Sequence, residues 1–350
     1  MKNSKYLLPL GLAAVLVLGL VEGLSAGDGP TSATVLSEIS NQGNFAAVLQ
    51  PGMHNYWSNG YLITIDTPPF MVPDKAGVVL YDHYGAVARQ PIVWLEGARE
   101  LSLTDVAVSR SGNLVVGGGT TNNEGAIANF IAEIGADDRL HRIVRTSPFV
   151  PAYVCALDDG TVWAYGFDRD TSLNLVENSP RLRQYSFDKG QLQAMLDPST
   201  LPDAQAFRET WRFSRGRYPG IISLRCNSKT VVLYNGGTGD LVEYDLQRNH
   251  MSVSKVAALP ADRMFHITGF ALTDSGEMFA SFHDAANTKA IVSGLFHLER
   301  DSASGGYKWR AVPGTAGLYL KDSPIERLWG ADGDKLVFSR LKDGRLYWTK

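Results

Sequence analysis

Cysteine is scarce: the 350 residues contain only Cys155 and Cys226. That excludes a disulfide-dense scaffold and a cysteine-built zinc framework. Charge of one sign is lacking too. Lys and Arg number 33 against 36 Asp and Glu, for a net charge of -3, so no basic field exists to draw nucleic acid. Reactive signatures are also missing. The chain has no H-E-x-x-H, no C-x-x-C and no G-x-x-x-x-G-K-[ST] phosphate loop. It has no proline-free N-x-[ST] glycosylation sequon. Its one G-x-S-x-G, Gly23 to Gly27, follows an apolar leader rather than a strand, which is the wrong setting for a nucleophile elbow.

That leader is the first positive feature. Lys2 and Lys5 precede an apolar run from Tyr6 to Val21, and small residues follow in Gly23-Leu24-Ser25-Ala26-Gly27. The pattern is that of a secretory signal. The expectation is a signal peptide at 1–26 and a single domain at 27–350, secreted or periplasmic. An uncleaved N-terminal anchor is the alternative, although the run is short for a ~30 Å bilayer core. No later segment approaches membrane length, so no transmembrane segment is expected after cleavage.

The rest of the chain is rhythmic. Six short turns, each between apolar β-rich runs, recur at Asn59-Gly60, Ser111-Gly112, Asp159-Gly160, Asn227-Ser228, Ser275-Gly276 and Asp332-Gly333. All but the fourth carry the glycine that supplies a hairpin's positive φ. Third and fourth strand-like runs follow most of them, such as Phe130 to Ile134 and Leu140 to Arg145. Four strands at roughly 50-residue spacing describe a propeller blade. The expected fold is all-β: a β-propeller of six four-stranded blades, with seven as the alternative. The last blade lacks a fourth strand. Thr34 to Ile39 or Phe45 to Leu49 would supply it, closing the ring by pairing N- and C-terminal strands. Gly117-Gly118-Gly119 is expected as a turn between the second and third strands of its blade.

The segment Asp105 to Val116 resembles the inner hairpin of NHL-type and gluconolactonase-type six-bladed propellers. Asp158-x-Gly160-x-x-Trp163 and Asp274-x-Gly276-x-x-Phe279 are similar to part of the sialidase Asp box, a turn-stabilising device, without its opening Ser or Thr. The gluconolactonase resemblance implies a divalent cation held by carboxylates and Asn near one channel mouth. Asp105, Asn235 and Glu326 are the candidates here, and an all-oxygen cage suits Ca²⁺. His266, His283 and the adjacent Asp284 are candidate catalytic groups, since a His beside a carboxylate can act as a general base near neutral pH.

Cys155 and Cys226 fall on the first strands of neighbouring blades. Spacing between blades strains the ~7 Å Cα limit of a disulfide, so buried free thiols are expected, with a disulfide the alternative.

An insertion at about 197–219 reads as partly helical, with Pro202 and Asp203 in a first helical turn. It carries Arg208, Trp211, Arg212, Phe213, Arg215, Arg217 and Tyr218. Arg, Trp and Tyr are enriched at binding hot spots. Ligand contact is therefore expected from Arg208, Trp211, Arg212, Arg215, Arg217 and Tyr218.

The expected function is an exported, monomeric, non-enzymatic propeller that binds a protein or an extracellular carbohydrate or other polymer, with no cofactor. The alternative is a Ca-dependent hydrolase or lactonase of the gluconolactonase type.

Overall fold

The structure is a computed structural model. It describes residues 36–37, 54–66, 77–201, 205, 222–257, 265–284, 294–301, 306–312, 327–339 and 346–349. The expected signal peptide lies outside them. No helix among the described residues is long and apolar enough to cross a membrane.

The described residues form antiparallel sheets in chain order. After β1 (Leu36–Ser37), the first sheet holds β2 (His54–Ser58), β3 (Tyr61–Asp66), β4 (Gly77–Tyr81) and β5 (Val87–Arg89). The second holds β6 (Ala98–Val108), β7 (Leu114–Asn122), β8 (Ile127–Ile134) and β9 (Leu140–Arg145). The third holds β10 (Phe149–Ala156), β11 (Thr161–Asp168), β12 (Leu182–Ser186) and β13 (Gly190–Met195). The fourth contains β14 (Ile222–Cys226), β15 (Thr230–Asn235), β16 (Asp240–Asp245) and β17 (His250–Ala257). The fifth contains β18 (Phe265–Leu272), β19 (Met278–Asp284), β20 (Leu295–Arg300) and β21 (Tyr307–Ala311). A short parallel contact, Val256 with Tyr307 and Ala257 with Lys308, joins these last two at their outer strands. The final sheet is β22 (Arg327–Asp332), β23 (Lys335–Ser339) and β24 (Leu346–Thr349), with β1 on its edge. β1 lies in the first of the two segments proposed for that place, pairing Leu36 with Thr349 and Ser37 with Trp348.

Local chemistry explains the hairpins. Asn59 and Gly60 both take positive φ, 42° and 86°, which lets a two-residue turn follow the twist of its strands. The turn without glycine is built by a side chain. Asn227 Oδ1 accepts the N–H groups of Lys229 and Thr230, each at 2.9 Å, an Asx device that replaces backbone freedom.

Gly117 to Gly119 correct the sequence expectation: they lie inside β7, not in a turn, and pair on both sides. A Cβ on Gly118 would sit 2.6 Å from the Ser102 carbonyl oxygen and 2.7 Å from Phe130 Cζ. Glycine here lets the strand pass under an aromatic ring.

The core is spread between sheet faces. Ile63, Leu80, Val106 and Val116 pack the first sheet on the second. Val115, Ile131, Val154 and Val162 pack the second on the third. Equivalent clusters join the third to the fourth, the fourth to the fifth and the fifth to the sixth. Trp57 and Leu62 then pack the first sheet against Trp329, Val337 and Trp348 of the last. Small sheets face to face in succession, with first strands innermost, make a propeller-like arrangement.

Candidate functional site: the axial cavity and the strand ends

The first strands β2, β6, β10, β14, β18 and β22 together line one cavity. Four of them carry a bulge near the middle, at Leu103/Asp105, Pro151/Tyr153, Ile267/Gly269 and Leu328/Gly330. A bulge bends a strand and re-aims its side chains. Asp105 and Tyr153 both lie inside their strands, because β6 starts at Ala98 and β10 at Phe149.

Asp105 is the buried charge of this region, 8% exposed. Its Oδ2 accepts the Val154 N–H at 2.8 Å. Burial pushes its carboxyl up to about 7, against the opposing pull of the Val154 N–H and of Arg225. Burial, and then Asp105 itself, hold the Tyr56 hydroxyl well above its ordinary value. The Arg225 guanidinium lies 5.4 Å from the centre of the Tyr56 ring, within cation–π range. Three groups from three different first strands thus form one polar cluster.

The turn end of the cavity is crossed by charge. Arg110, in the β6–β7 turn, meets Asp274 of the β18–β19 turn at 2.7 Å and Asp158 of the β10–β11 turn at 3.5 Å. Both acids belong to the Asp-box-like segments, so here those aspartates meet another turn's arginine.

The opposite strand ends carry polar residues that serve as turn caps. Asn122 Oδ1 accepts the Ala126 N–H at 2.8 Å. Asp170 Oδ1 accepts those of Ser172 and Asn174. Asp168 is paired with the buried Arg183 at 2.6 Å. Asn235 is fully buried, and its Oδ1 accepts the Gly237 and Thr238 N–H groups.

Of the expected metal ligands, then, Asp105 is directed to Val154 and Asn235 to its own turn, while Glu326 lies outside the described residues. No group of three or more His, Cys, Asp or Glu that would hold a metal occurs among the described residues. Of the expected catalytic groups, β18 and β19 place His266 opposite His283 and Phe265 opposite Asp284 in register.

The insertion opens with a 3-10 turn at Pro198–Thr200, N-capped by Asp197, whose side chain accepts the Ser199 N–H at 2.8 Å. Arg208, Trp211, Arg212, Arg215, Arg217 and Tyr218 lie outside the described residues.

Cys155 and Cys226 form a disulfide with Cα atoms 6.0 Å apart. The expectation of free thiols is thereby corrected. At the axis, first strands of neighbouring sheets converge closely enough to meet the bond's geometric limit, and no cysteine is free. Sequence reasoning missed the Tyr56–Asp105–Arg225 cluster. Tyr56 and Arg225 read alone as ordinary strand residues, Asp105 is read as a cation ligand, and no spacing rule links the three.

No family model and no curated protein sequence matches the chain. Among solved structures, an inferred exported protein (BF0058) of Bacteroides fragilis NCTC 9343 aligns over 81% of this chain and 77% of its own, at 12% identity and a TM-score of 0.45. U3-55K aligns over 83% of this chain and 91% of its own, at 10% identity and a TM-score of 0.37.

Proposed function

We propose that the chain is an exported, monomeric six-bladed β-propeller, closed by β1, that serves as a non-enzymatic binding module for a protein or an extracellular polymer. The observation that carries this reading is an axial cavity bridged by the protein's own side chains. The Arg110–Asp274 pair spans the turn end of the cavity, and Arg225 reaches the Tyr56 ring farther in. An axis tied by its own side chains is a rigid support that leaves recognition to loops. The disulfide is consistent with an oxidising, extracytoplasmic location. Ligand contact is assigned to Arg208, Trp211, Arg212, Arg215, Arg217 and Tyr218, on the chemistry of arginine and aromatic anchors.

The test uses the mature protein and immobilised alginate and polygalacturonate, two anionic polymers that suit an arginine-rich segment. Parent protein is expected to be retained, and a Trp211→Ala/Arg212→Ala double variant to lose at least about tenfold in affinity. Retention unchanged in the variant removes the assigned surface. Calcium-dependent lactone hydrolysis by a parent that binds neither polymer overturns the reading.

A further inference from the structure

A second recessed site lies away from the axis, between the second and third sheets. It is a groove of about 370 Å³, lined among others by Leu101, Ile127, Asn129, Val150 and Arg169. That size falls within the usual range for small-molecule sites. Its position follows from the fold: it gathers the entry half of β6, the exit half of β7, the start of β8 and the residue after β11. These are the strand ends opposite the Arg110 turn.

Two polar groups in it are unspent. Asn129 is 8% exposed, and its backbone is fully engaged: its N–H donates to Ser147 Oγ at 2.7 Å and its carbonyl accepts from Thr146 N–H at 2.8 Å. Its carboxamide has no hydrogen-bond partner among the described residues. With no partner of its own, the carboxamide is open to a ligand that enters the groove, offering it both a donor and an acceptor.

Arg169 is the second. Its guanidinium lies 5.6 Å from the centre of the Phe167 ring and has no ion-pair partner among the described residues. Each acid beside it in sequence is taken: Asp168 by Arg183 at 2.6 Å, and Asp170 by the amides of its own turn. Glu100, also on the lining, is met by Arg99 at 3.1 Å.

The walls between these groups are apolar. Leu101 and Val150 are buried, while Ile127 is 41% exposed at the rim. A free planar cation, a donor-acceptor amide and an aliphatic wall define a ligand by its chemistry. Arginine pairs best with a carboxylate, through two parallel N–H donors.

We propose that this groove is a binding site for a small organic carboxylate with a compact apolar body. The carboxylate pairs with Arg169, Asn129 completes its hydrogen bonding, and the apolar body lies on Leu101, Ile127 and Val150. This proposal does not rest on the polymer-binding reading above.

Titration calorimetry on the mature protein tests it, with phenylacetate as the probe and phenylacetamide as its uncharged control. Phenylacetate is expected to bind with a Kd of about 1 mM or tighter, and phenylacetamide about tenfold more weakly. Arg169→Gln and Asn129→Leu should each weaken phenylacetate about tenfold. Ile127→Trp should fill the groove and abolish binding while leaving the Tm near that of the parent. No phenylacetate binding to the parent at about 10 mM overturns the proposal. So does equal affinity for the amide, or binding that Arg169→Gln and Ile127→Trp leave unchanged.

Discussion

Asp105 Oδ2 accepts the Val154 N–H at 2.8 Å, a bond between first strands of successive sheets. The same burial that shelters this bond raises the carboxyl to about 7. Between the ordinary carboxylate value and about 7, the folded protein holds a proton that the unfolded chain has released. Stability contributed by the protonated group is therefore complete in acid and is lost as pH rises through about 7. Asp105→Asn should remove that slope and leave the variant more stable than the parent at pH 8, by at most about 4 kcal/mol. Urea unfolding across pH 4 to 8 checks this, and parallel profiles for the two proteins would refute it.

The Cys155–Cys226 bond spans a sequence separation of 71. Closing a loop of that length restricts the unfolded chain by about 4 kcal/mol in the entropy model. Reductant should lower the Tm of the parent, whereas a Cys155→Ala/Cys226→Ala variant should not respond to it. A parent Tm that is the same with and without reductant contradicts the assignment.

Gly118→Ala should be costly although the residue is small. The new methyl meets the Ser102 carbonyl oxygen and the Phe130 ring, each closer than 3 Å, and the first of these is backbone. A loss of about 1–3 kcal/mol is expected from the forced shift. Exposed Gly125, with nothing near its missing Cβ, bears only the strain of its positive φ, about 1 kcal/mol. Chemical denaturation of the two alanine variants should rank them in that order.

Asn227 binds in two directions. Its Oδ1 holds its own turn, and its Nδ2 donates to the Thr273 carbonyl at 2.8 Å in the next sheet. Asn227→Ala should cost about 2–3 kcal/mol, because it strips three bonds from a buried site. A change within about 0.5 kcal/mol, the level of an ordinary surface substitution, would show that the turn forms without it.

How much was legible in the sequence differs by range. Hairpins at Asn59-Gly60, Gly112, Gly160, Gly276 and Gly333 were readable because turn chemistry is local: glycine beside Asn, Asp or Ser admits the needed φ whatever lies far away. The strands flanking them followed from β-rich runs. Even the edge partner of β24 was anticipated, since an unfinished sheet implies a missing strand. Gly117 to Gly119 misled for the same local reason: a glycine run reads as a turn unless the Phe130 ring that it accommodates is known. The sequence marks Asp105 and Asn235 as polar residues near a channel mouth, but Asp105 lies inside β6 and Asn235 ends β15. Their use as acceptors for Val154 and for the Gly237 turn depends on orientation, which no spacing reveals.

By itself, then, the sequence determined an all-β chain of repeated hairpins with a polar residue at most strand ends. Tertiary structure alone decided which faces meet. Trp57 lies edge-on to Trp348, 5.1 Å away between ring centres. The two cysteines come within bonding reach, Asp105 loses its water, and Asn129 is buried with its carboxamide unspent. The physical reason is common to all four. Burial and proximity between sheets arise from packing residues far apart in the chain, and local propensity carries no record of that distance.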